Sequence, residues 1–73
     1  MTLQNMEIGQ TAVVGKINLA HDISRRIEML GLTGGTQISL LNKKKSGAVI
    51  VKLRGTRYAF GRDIARGIEV GNG

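Results

Sequence analysis

The fold of this chain is decided by the segment RRIEMLGLTGG, residues 25–35. It has the pattern of the last turns of a helix, a glycine stop, a hydrophobic residue that folds back, and a glycine turn that leads into a strand. We expect the helix to run from Ile23 to Leu30, with Asp22 as its N-cap. Gly31 is predicted to end the helix in a left-handed conformation, and Leu32 to pack back against it.

The predicted helix has one apolar face and one face that is left over. At about 100° per residue, Ile23, Ile27 and Leu30 lie in one narrow stripe, which we expect to face the core. Arg25 and Met29 lie together on another side. Met29 is a long apolar residue in a polar setting, so it needs cover. In a domain this small, we expect a loop of the chain itself to supply that cover before a partner does.

The chain before the helix has the pattern of one strand with a covering segment. Residues 2–10 have irregularly spaced apolar side chains, so we expect a loop with little regular structure that closes one end of the core. The apolar side chains of this loop are Leu3, Met6 and Ile8. Residues 11–18 are rich in β-branched side chains, and their alternation changes phase around Gly15, which indicates a bulge. With that bulge, the inner face of the strand is formed by Ala12, Val14 and Ile17.

The chain after residue 36 is rich in strand patterns. Residues 37–42 are predicted to form a strand, and residues 43–47, KKKSG, a charged hairpin loop. Residues 48–54 alternate cleanly, and Gly55 separates them from a second run at residues 56–60, which predicts another hairpin. The side chains predicted to face the core in these strands are Ile38, Leu40, Val49, Val51, Leu53, Tyr58 and Phe60.

Together these elements predict the fold class. Residues 61–67 fit one helical turn that carries Ile64 inward, residues 68–70 a last strand, and residues 71–73 a frayed end. Five short strands cannot form two good sheets, and closure removes exposed edges, so we predict a mainly β, Src-homology-3-like (SH3-like) barrel with one short α-helix inserted after the first strand. An oligonucleotide-binding barrel is the alternative. With 73 residues, the chain is expected to form a single domain, residues 1–73.

The sequence offers little for catalysis. It contains two Asp, three Glu, one His and no Cys, and it has no phosphate-binding motif of the GxxxxGK[ST] type. His21 stands next to Asp22, but no nucleophile can be placed beside them, so a structural or solvated histidine is the simpler interpretation. We therefore predict no enzymatic activity, no catalytic residue and no bound cofactor.

The conventional metal ligands of the chain show no recognised spacing. They are Glu7, His21, Asp22, Glu28, Asp63 and Glu69. We therefore predict no tight transition-metal site within one chain. A weak site, or one shared between chains, stays open.

The chain carries a net charge of +6, which points to an acidic partner or simply to solubility. Nucleic acid is one alternative, because the second half of the chain is rich in Lys and Arg. Binders of single strands array aromatic side chains among such cations, and only Tyr58 and Phe60 are available, both with the pattern of core residues. The N-terminal residues have no basic and apolar leader pattern, which favours a cytosolic protein.

Binding to a protein is the remaining function. The outward side of the helix presents Arg25 and Met29 together, and residues 32–35 form a turn with exposed backbone groups. Arg and Met are both enriched at the cores of protein interfaces. The alternative is a solvated helix face without a partner.

Two segments give the chain a family resemblance. The runs DISRRIEMLGLTGGT, residues 22–36, and LRGTRYAF, residues 53–60, resemble the FeoA family of bacterial ferrous iron transport. The family pattern is a basic helix that ends Leu-Gly-Leu-Thr-Pro-Gly, then a strand and a hairpin with a central glycine. This chain departs from it at Gly34, where the family has proline. The same fold also occurs as the C-terminal domain of DtxR-type metal-dependent repressors.

The resemblance implies a role as well as a fold. It implies an SH3-like barrel that assists or regulates FeoB, the membrane GTPase that moves Fe²⁺, at the cytoplasmic face of the cell membrane. There the basic chain would also meet anionic lipid headgroups. Transition-metal binding is often attributed to the family. The partner-binding residues predicted on this basis are Arg25, Arg26, Met29, Leu32, Thr33, Gly34 and Gly35.

Overall fold

The computed structural model describes residues 1–71. The elements, in chain order, are a 3₁₀ helix at Leu3–Asn5, β1 at Thr11–Ile17, α1 at His21–Met29, β2 at Gln37–Lys43, β3 at Val49–Leu53, β4 at Thr56–Phe60, α2 at Arg62–Arg66 and β5 at Ile68–Gly71. The predicted fraying of residues 72–73 lies outside the described residues. Gly71 was included in that prediction, but it is the last residue of β5.

The strands form one antiparallel sheet in the order β4-β3-β2-β1-β5. The register is regular except at two places. One irregularity lies between Val14 and Ile17, where a bulge at Gly15 was predicted. The other lies in β2 between Leu40 and Asn42, and the sequence pattern did not indicate it. The predicted hairpins and the single helix after the first strand are confirmed.

The two edge strands of the sheet are β5 and β4, and they differ in what lies beside them. The outer edge of β5 is covered by the N-terminus, because Val70 N donates to Met1 O at 2.8 Å and Thr2 bridges Glu69. Strand β4 pairs with β3 and forms the other edge of the sheet.

No helix within residues 1–71 has the length and hydropathy needed to cross a membrane.

Every strand contributes side chains to the core, but Ile17, Ile23 and Tyr58, which were predicted to face it, are only half-buried and pack against its edge. Its buried residues are Leu3, Met6, Ala12, Val14, Ile27, Leu32, Ile38, Leu40, Val49, Val51, Leu53, Phe60, Ala65, Ile68 and Val70. In α2 it is Ala65 that is fully buried, whereas Ile64, predicted to point inward, is half-buried and packs at the edge of the core.

The N-terminal segment differs from the prediction in two ways. It contains a 3₁₀ helix, which Asn5 stabilises by accepting the Thr2 N–H at 3.0 Å. Leu3 and Met6 are fully buried, but the predicted burial of Ile8 is wrong, because 61% of its surface is exposed. The reason is local: Ile8 stands at the tip of a turn in which Gln10 N donates to Glu7 O at 2.9 Å.

Helix α1 begins earlier than predicted. Ala20 occupies the N-cap position, and no side chain caps the helix there. Asp22, predicted as the N-cap, lies in the first turn, where its negative charge still favours the helix dipole. The hydroxyl of Ser24 donates to Leu19 O at 3.2 Å.

The end of α1 has the predicted geometry. Gly31 has φ +100°, and its N–H donates to Glu28 O at 2.9 Å. Leu32 N donates to Ile27 O at 3.3 Å, which completes a Schellman motif. The hydrophobic contact of that motif is made by Leu32, which is fully buried. Leu30, predicted to face the core, is instead 42% exposed, because the chain reverses direction immediately after it.

Candidate docking surface

The turn that follows α1 is held firmly in place. Thr36 N donates to Thr33 O at 3.1 Å, and Gly35 has φ +90°, as the third position of a type II turn requires. Two backbone hydrogen bonds fasten the turn to β1, from Gly35 N to Val14 O at 2.7 Å and from Val14 N to Thr36 O at 2.8 Å. These hydrogen bonds hold the glycine-rich segment in one conformation against β1, so it is a rigid feature of the surface.

Gly34 occupies the second position of this turn, which is the position that proline prefers. Its φ is not in the left-handed region, a Cβ there would lie 3.4 Å from Gly15 O, and its N–H makes no backbone hydrogen bond within residues 1–71. We therefore expect Gly34→Pro to raise the free energy of unfolding by about 0.4–1 kcal/mol, because proline restricts the unfolded chain. Urea denaturation followed by circular dichroism measures this change.

The matched control is the neighbouring glycine. Gly35→Ala should destabilise by about 1–2 kcal/mol, because a side chain disfavours φ +90°. If Gly34→Pro lowered the stability as much as Gly35→Ala does, the turn would not be of type II.

An open cleft lies beside the turn. Its walls are formed by Thr33, Gly34, Gly35, Thr36, Gln37 and Arg54, and its volume is about 560 Å³. The hydroxyls of Thr33 and Thr36 lie 3.1 Å apart, and Thr36 Oγ1 donates to Gly31 O at 3.3 Å. These contacts link the floor of the cleft to the end of α1.

Arg54 supplies the charge of the cleft. It has φ +52° and forms, with Gly55, the two-residue turn between β3 and β4. Its side chain lies over Gly31, since a Cβ on that glycine would be 3.6 Å from Arg54 Cδ. The residue is exposed, so its guanidinium is accessible from solvent.

The end of α1, which directly precedes Gly31 and the turn, carries two exposed apolar side chains. Met29 is 85% exposed and Leu30 is 42% exposed. The prediction that a loop covers Met29 is wrong, because the chain turns away at Gly31 toward the sheet. Two apolar side chains therefore stand in solvent immediately before Gly31, the glycine over which the Arg54 side chain lies.

We use the name docking surface for the candidate site formed by Met29, Leu30, Thr33, Gly34, Gly35 and Arg54. Of the predicted partner-binding residues, Arg25 and Arg26 are exposed on α1 within one turn of Met29. Leu32, also predicted to bind the partner, is fully buried, so we leave it out of the docking surface.

Arg54 was missed as a member of the site, although a signal existed. The Arg-Gly pair between two alternating runs is typical of a tight hairpin turn, and the pairing of Ile38 with Leu53 brings that turn to the same end of the sheet as residues 33–36.

The structure places the chemically reactive residues apart. Within residues 1–71, no three side chains of the His, Cys, Asp and Glu types are grouped as a metal site requires. The rings of Tyr58 and Phe60 stack on each other with centroids 6.3 Å apart and pack at the core. They do not form a platform for nucleic-acid bases.

Comparison with known proteins gives the family. The FeoA domain model matches residues 1–72. Among curated proteins no sequence match is found.

Solved structures of FeoA proteins are similar to this chain. The FeoA protein from Chlorobium tepidum has a TM-score of 0.89 at 28% identity, with 96% of this chain and 68% of that chain covered. A crystal structure of an iron uptake regulatory protein, FeoA, has a TM-score of 0.87 at 28% identity, covering 96% and 93%.

A third relative comes with a description of its fold. FeoA of Stenotrophomonas maltophilia, complexed with zinc, has a TM-score of 0.83 at 29% identity, covering 97% and 89%. That protein is described as a prokaryotic SH3 domain protein and a candidate activating factor of bacterial ferrous iron transport. The predicted SH3-like fold is thus confirmed, and this chain belongs to the FeoA family, which is associated with ferrous iron transport.

Proposed function

We propose that this chain is an accessory protein of ferrous iron transport that binds the cytoplasmic part of a FeoB-type membrane transporter through the docking surface. One observation carries the proposal: Met29 is 85% exposed at the end of a helix, beside the half-exposed Leu30. Burial of a long apolar side chain against a partner lowers the free energy, because it removes apolar surface from water. The description of the Stenotrophomonas relative as a candidate activating factor of ferrous iron transport supports the same role.

The chemistry of the docking surface defines the site it would bind. Met29 is flexible and polarisable, so it suits an apolar pocket of irregular shape. Arg54 can make a bidentate contact with a carboxylate at the rim of that pocket. The rigid turn at residues 33–35 offers backbone groups without the entropic cost of ordering a loop. The partner is therefore expected to present an apolar pocket next to an Asp or Glu.

The proposed action is binding and not turnover. The chain has no catalytic constellation in this proposal, and it would act by favouring one conformation of the transporter through its differential affinity. Any contact with a transition metal is proposed to be weak or to be shared between chains.

The proposal is tested by placing a charge at its central residue. Met29→Asp is expected to weaken binding to the detergent-solubilised transporter about 10- to 100-fold, because burial of the methionine is worth about 1.5–3 kcal/mol. The fold should be unchanged, since the side chain is exposed. Biolayer interferometry with immobilised transporter measures the dissociation constant, and circular dichroism checks the fold.

The chain offers a matched control for this experiment. Ile8→Asp places the same charge at another exposed apolar residue, 61% exposed, at the opposite end of the sheet. It should leave binding in detergent unchanged. Arg54→Ala should weaken binding as well. Full affinity in Met29→Asp combined with Arg25→Glu would rule out this surface as the docking site.

A further inference from the structure

The end of the sheet opposite the docking surface carries a second, different surface. Strand β3 runs from Val49, next to the lysine loop, to Leu53, next to Arg54. At about 3.3 Å per residue, the four steps from Val49 to Leu53 separate the two ends by about 13 Å. We call the far surface the basic end. It comprises Ile8, Lys43, Lys44, Lys45 and Arg62.

The lysine loop of the basic end is a tight turn with outward side chains. Lys44 N donates to Ala48 O at 2.8 Å, and Gly47 N donates to Lys44 O at 2.9 Å. Lys43, predicted to lie in the loop, is the last residue of β2 and pairs with Val49. All three lysines are exposed. The turn therefore holds three positive charges close together in solvent.

Arg62 is held against the same turn by a close contact. Gly47 has φ +97°, and a Cβ on it would lie 2.7 Å from Arg62 Cδ and 2.9 Å from Arg62 Cβ. The stem of the arginine thus lies directly over the glycine, while the residue as a whole stays exposed. This contact brings the first residue of α2 to the lysine loop and adds a fourth cation.

Ile8 gives the basic end an apolar tip. It stands at the outer position of the turn at residues 7–10, where Gly9 has φ +91°. Gly9 N donates to Leu40 O at 2.8 Å, which fastens the turn to β2 three residues before Lys43. At about 3.3 Å per residue, Leu40 and Lys43 are about 10 Å apart along β2. An exposed isoleucine therefore lies within reach of the lysine side chains.

We propose that the basic end binds an anionic lipid bilayer, with the lysines and Arg62 on the headgroups and Ile8 inserted at their boundary with the acyl chains. Flexible lysines suit a surface of mobile charges, to which each contributes about 1 kcal/mol, a factor of about five in affinity. An exposed aliphatic side chain among cations suits the interface of a membrane.

Nucleic acid fits the same surface less well. Binding of single strands calls for exposed aromatic rings, and Phe60, the aromatic residue at this end of β4, is only 6% exposed. Two exposed carboxylates, Glu7 and Asp63, adjoin Ile8 and Arg62 in the chain and offset part of the four positive charges. The basic end thus keeps a net positive charge around an aliphatic tip.

Lipid binding through the basic end would point the docking surface away from the membrane. The docking surface, with Met29 and Arg54, would then be accessible to a cytoplasmic domain of a partner anchored in the same membrane. The inference does not depend on the docking proposed above, because lipid vesicles contain no protein.

Co-sedimentation with vesicles tests it. The full chain is mixed with vesicles of phosphatidylcholine plus phosphatidylglycerol, and with vesicles of phosphatidylcholine alone, at low salt. We expect binding to the first and not to the second. The double variant Lys44→Gln with Lys45→Gln should lower the vesicle partition coefficient about 25-fold. Ile8→Ser should lower it about tenfold. Raising the salt should weaken binding further.

Two controls make the result specific. Lys16→Gln with Lys52→Gln removes the same charge from exposed residues outside the basic end and should change binding far less. Met29→Asp should leave it unchanged. The proposal is overturned by no binding to anionic vesicles, by equal loss in both lysine pairs, or by full binding in Ile8→Ser. Tight binding of a labelled RNA with no vesicle binding would assign the basic end to nucleic acid instead.

Discussion

Replacing Leu32 by alanine is expected to lower the free energy of unfolding by about 2–5 kcal/mol, the range for a large side chain removed from a packed core. Leu32 is fully buried, and its N–H also closes the Schellman motif at the end of α1. A domain of this size is stabilised by only about 4–11 kcal/mol in total, so the variant should be close to unfolding at elevated temperature. Thermal and urea denaturation followed by circular dichroism measure the loss.

The neighbouring leucine is the control for this experiment. Leu30 has the same side chain two residues earlier but is 42% exposed. Leu30→Ala should therefore cost less than about 1 kcal/mol. Should Leu32→Ala keep its stability and lose only binding to the transporter, the assignment of Leu32 to the core is wrong, and the sequence-based assignment to the docking surface is right.

The contrast between these two leucines shows how far the sequence could predict the helix. The apolar stripe indicates which direction Leu30 faces, but it does not indicate where the helix axis ends relative to the sheet. Gly31 reverses the chain, and Leu32 takes the core position that the stripe assigned to Leu30. The end of the helix at Gly31 could be predicted, because a φ of +100° is a local requirement that favours glycine. The burial of each leucine side chain depends on the whole fold.

The strands were more predictable than the segments that join them. Strict alternation identifies Val49, Val51 and Leu53 as buried, because a period of two leaves no other face for them. The turn tip at Ile8 carries no such pattern, so its exposure could not be inferred from spacing. The same applies to the bulge in β2, which depends on how its partners β1 and β3 pair with it.

The docking surface was predicted in part for a similar reason. Met29 and the turn at residues 33–35 are close in sequence, and helix periodicity places Met29 away from the core. Arg54 comes from a hairpin some twenty residues later, and only the register between β2 and β3 brings it to Gly31. A search for local sequence motifs cannot detect residues that come together only through strand pairing.

Gly67→Ala is expected to destabilise the chain by about 1–3 kcal/mol, the cost of forcing a methyl group into a packed site. Gly67 lies between α2 and β5, where the segment that leaves β1 crosses it. A Cβ there would lie 2.7 Å from Asn18 O and in closer conflict with the side chain of Leu19. The conflict with Asn18 involves backbone, which cannot turn aside as a side chain can.

Two variants separate the backbone conflict from the side-chain conflict. Gly71→Ala, a glycine with open space around it, should change stability by less than about 0.5 kcal/mol. Adding Leu19→Ala to Gly67→Ala removes the leucine conflict but leaves the Asn18 carbonyl in place, so it should not restore stability.

The reason lies in the hydrogen bond that fixes this crossing. Asn18 N donates to Gly67 O at 2.6 Å, and the Asn18 side chain donates to the Glu69 carboxylate. A shift of Asn18 away from a methyl group at residue 67 would strain both bonds and loosen β5 from β1. Full recovery of the unfolding free energy in the double variant would show that Leu19 alone sets the need for glycine. Because Leu19 packs against the core, the reference is Leu19→Ala alone. A loss in the double variant beyond that of Leu19→Ala, measured by urea denaturation, would place the need for glycine in the backbone.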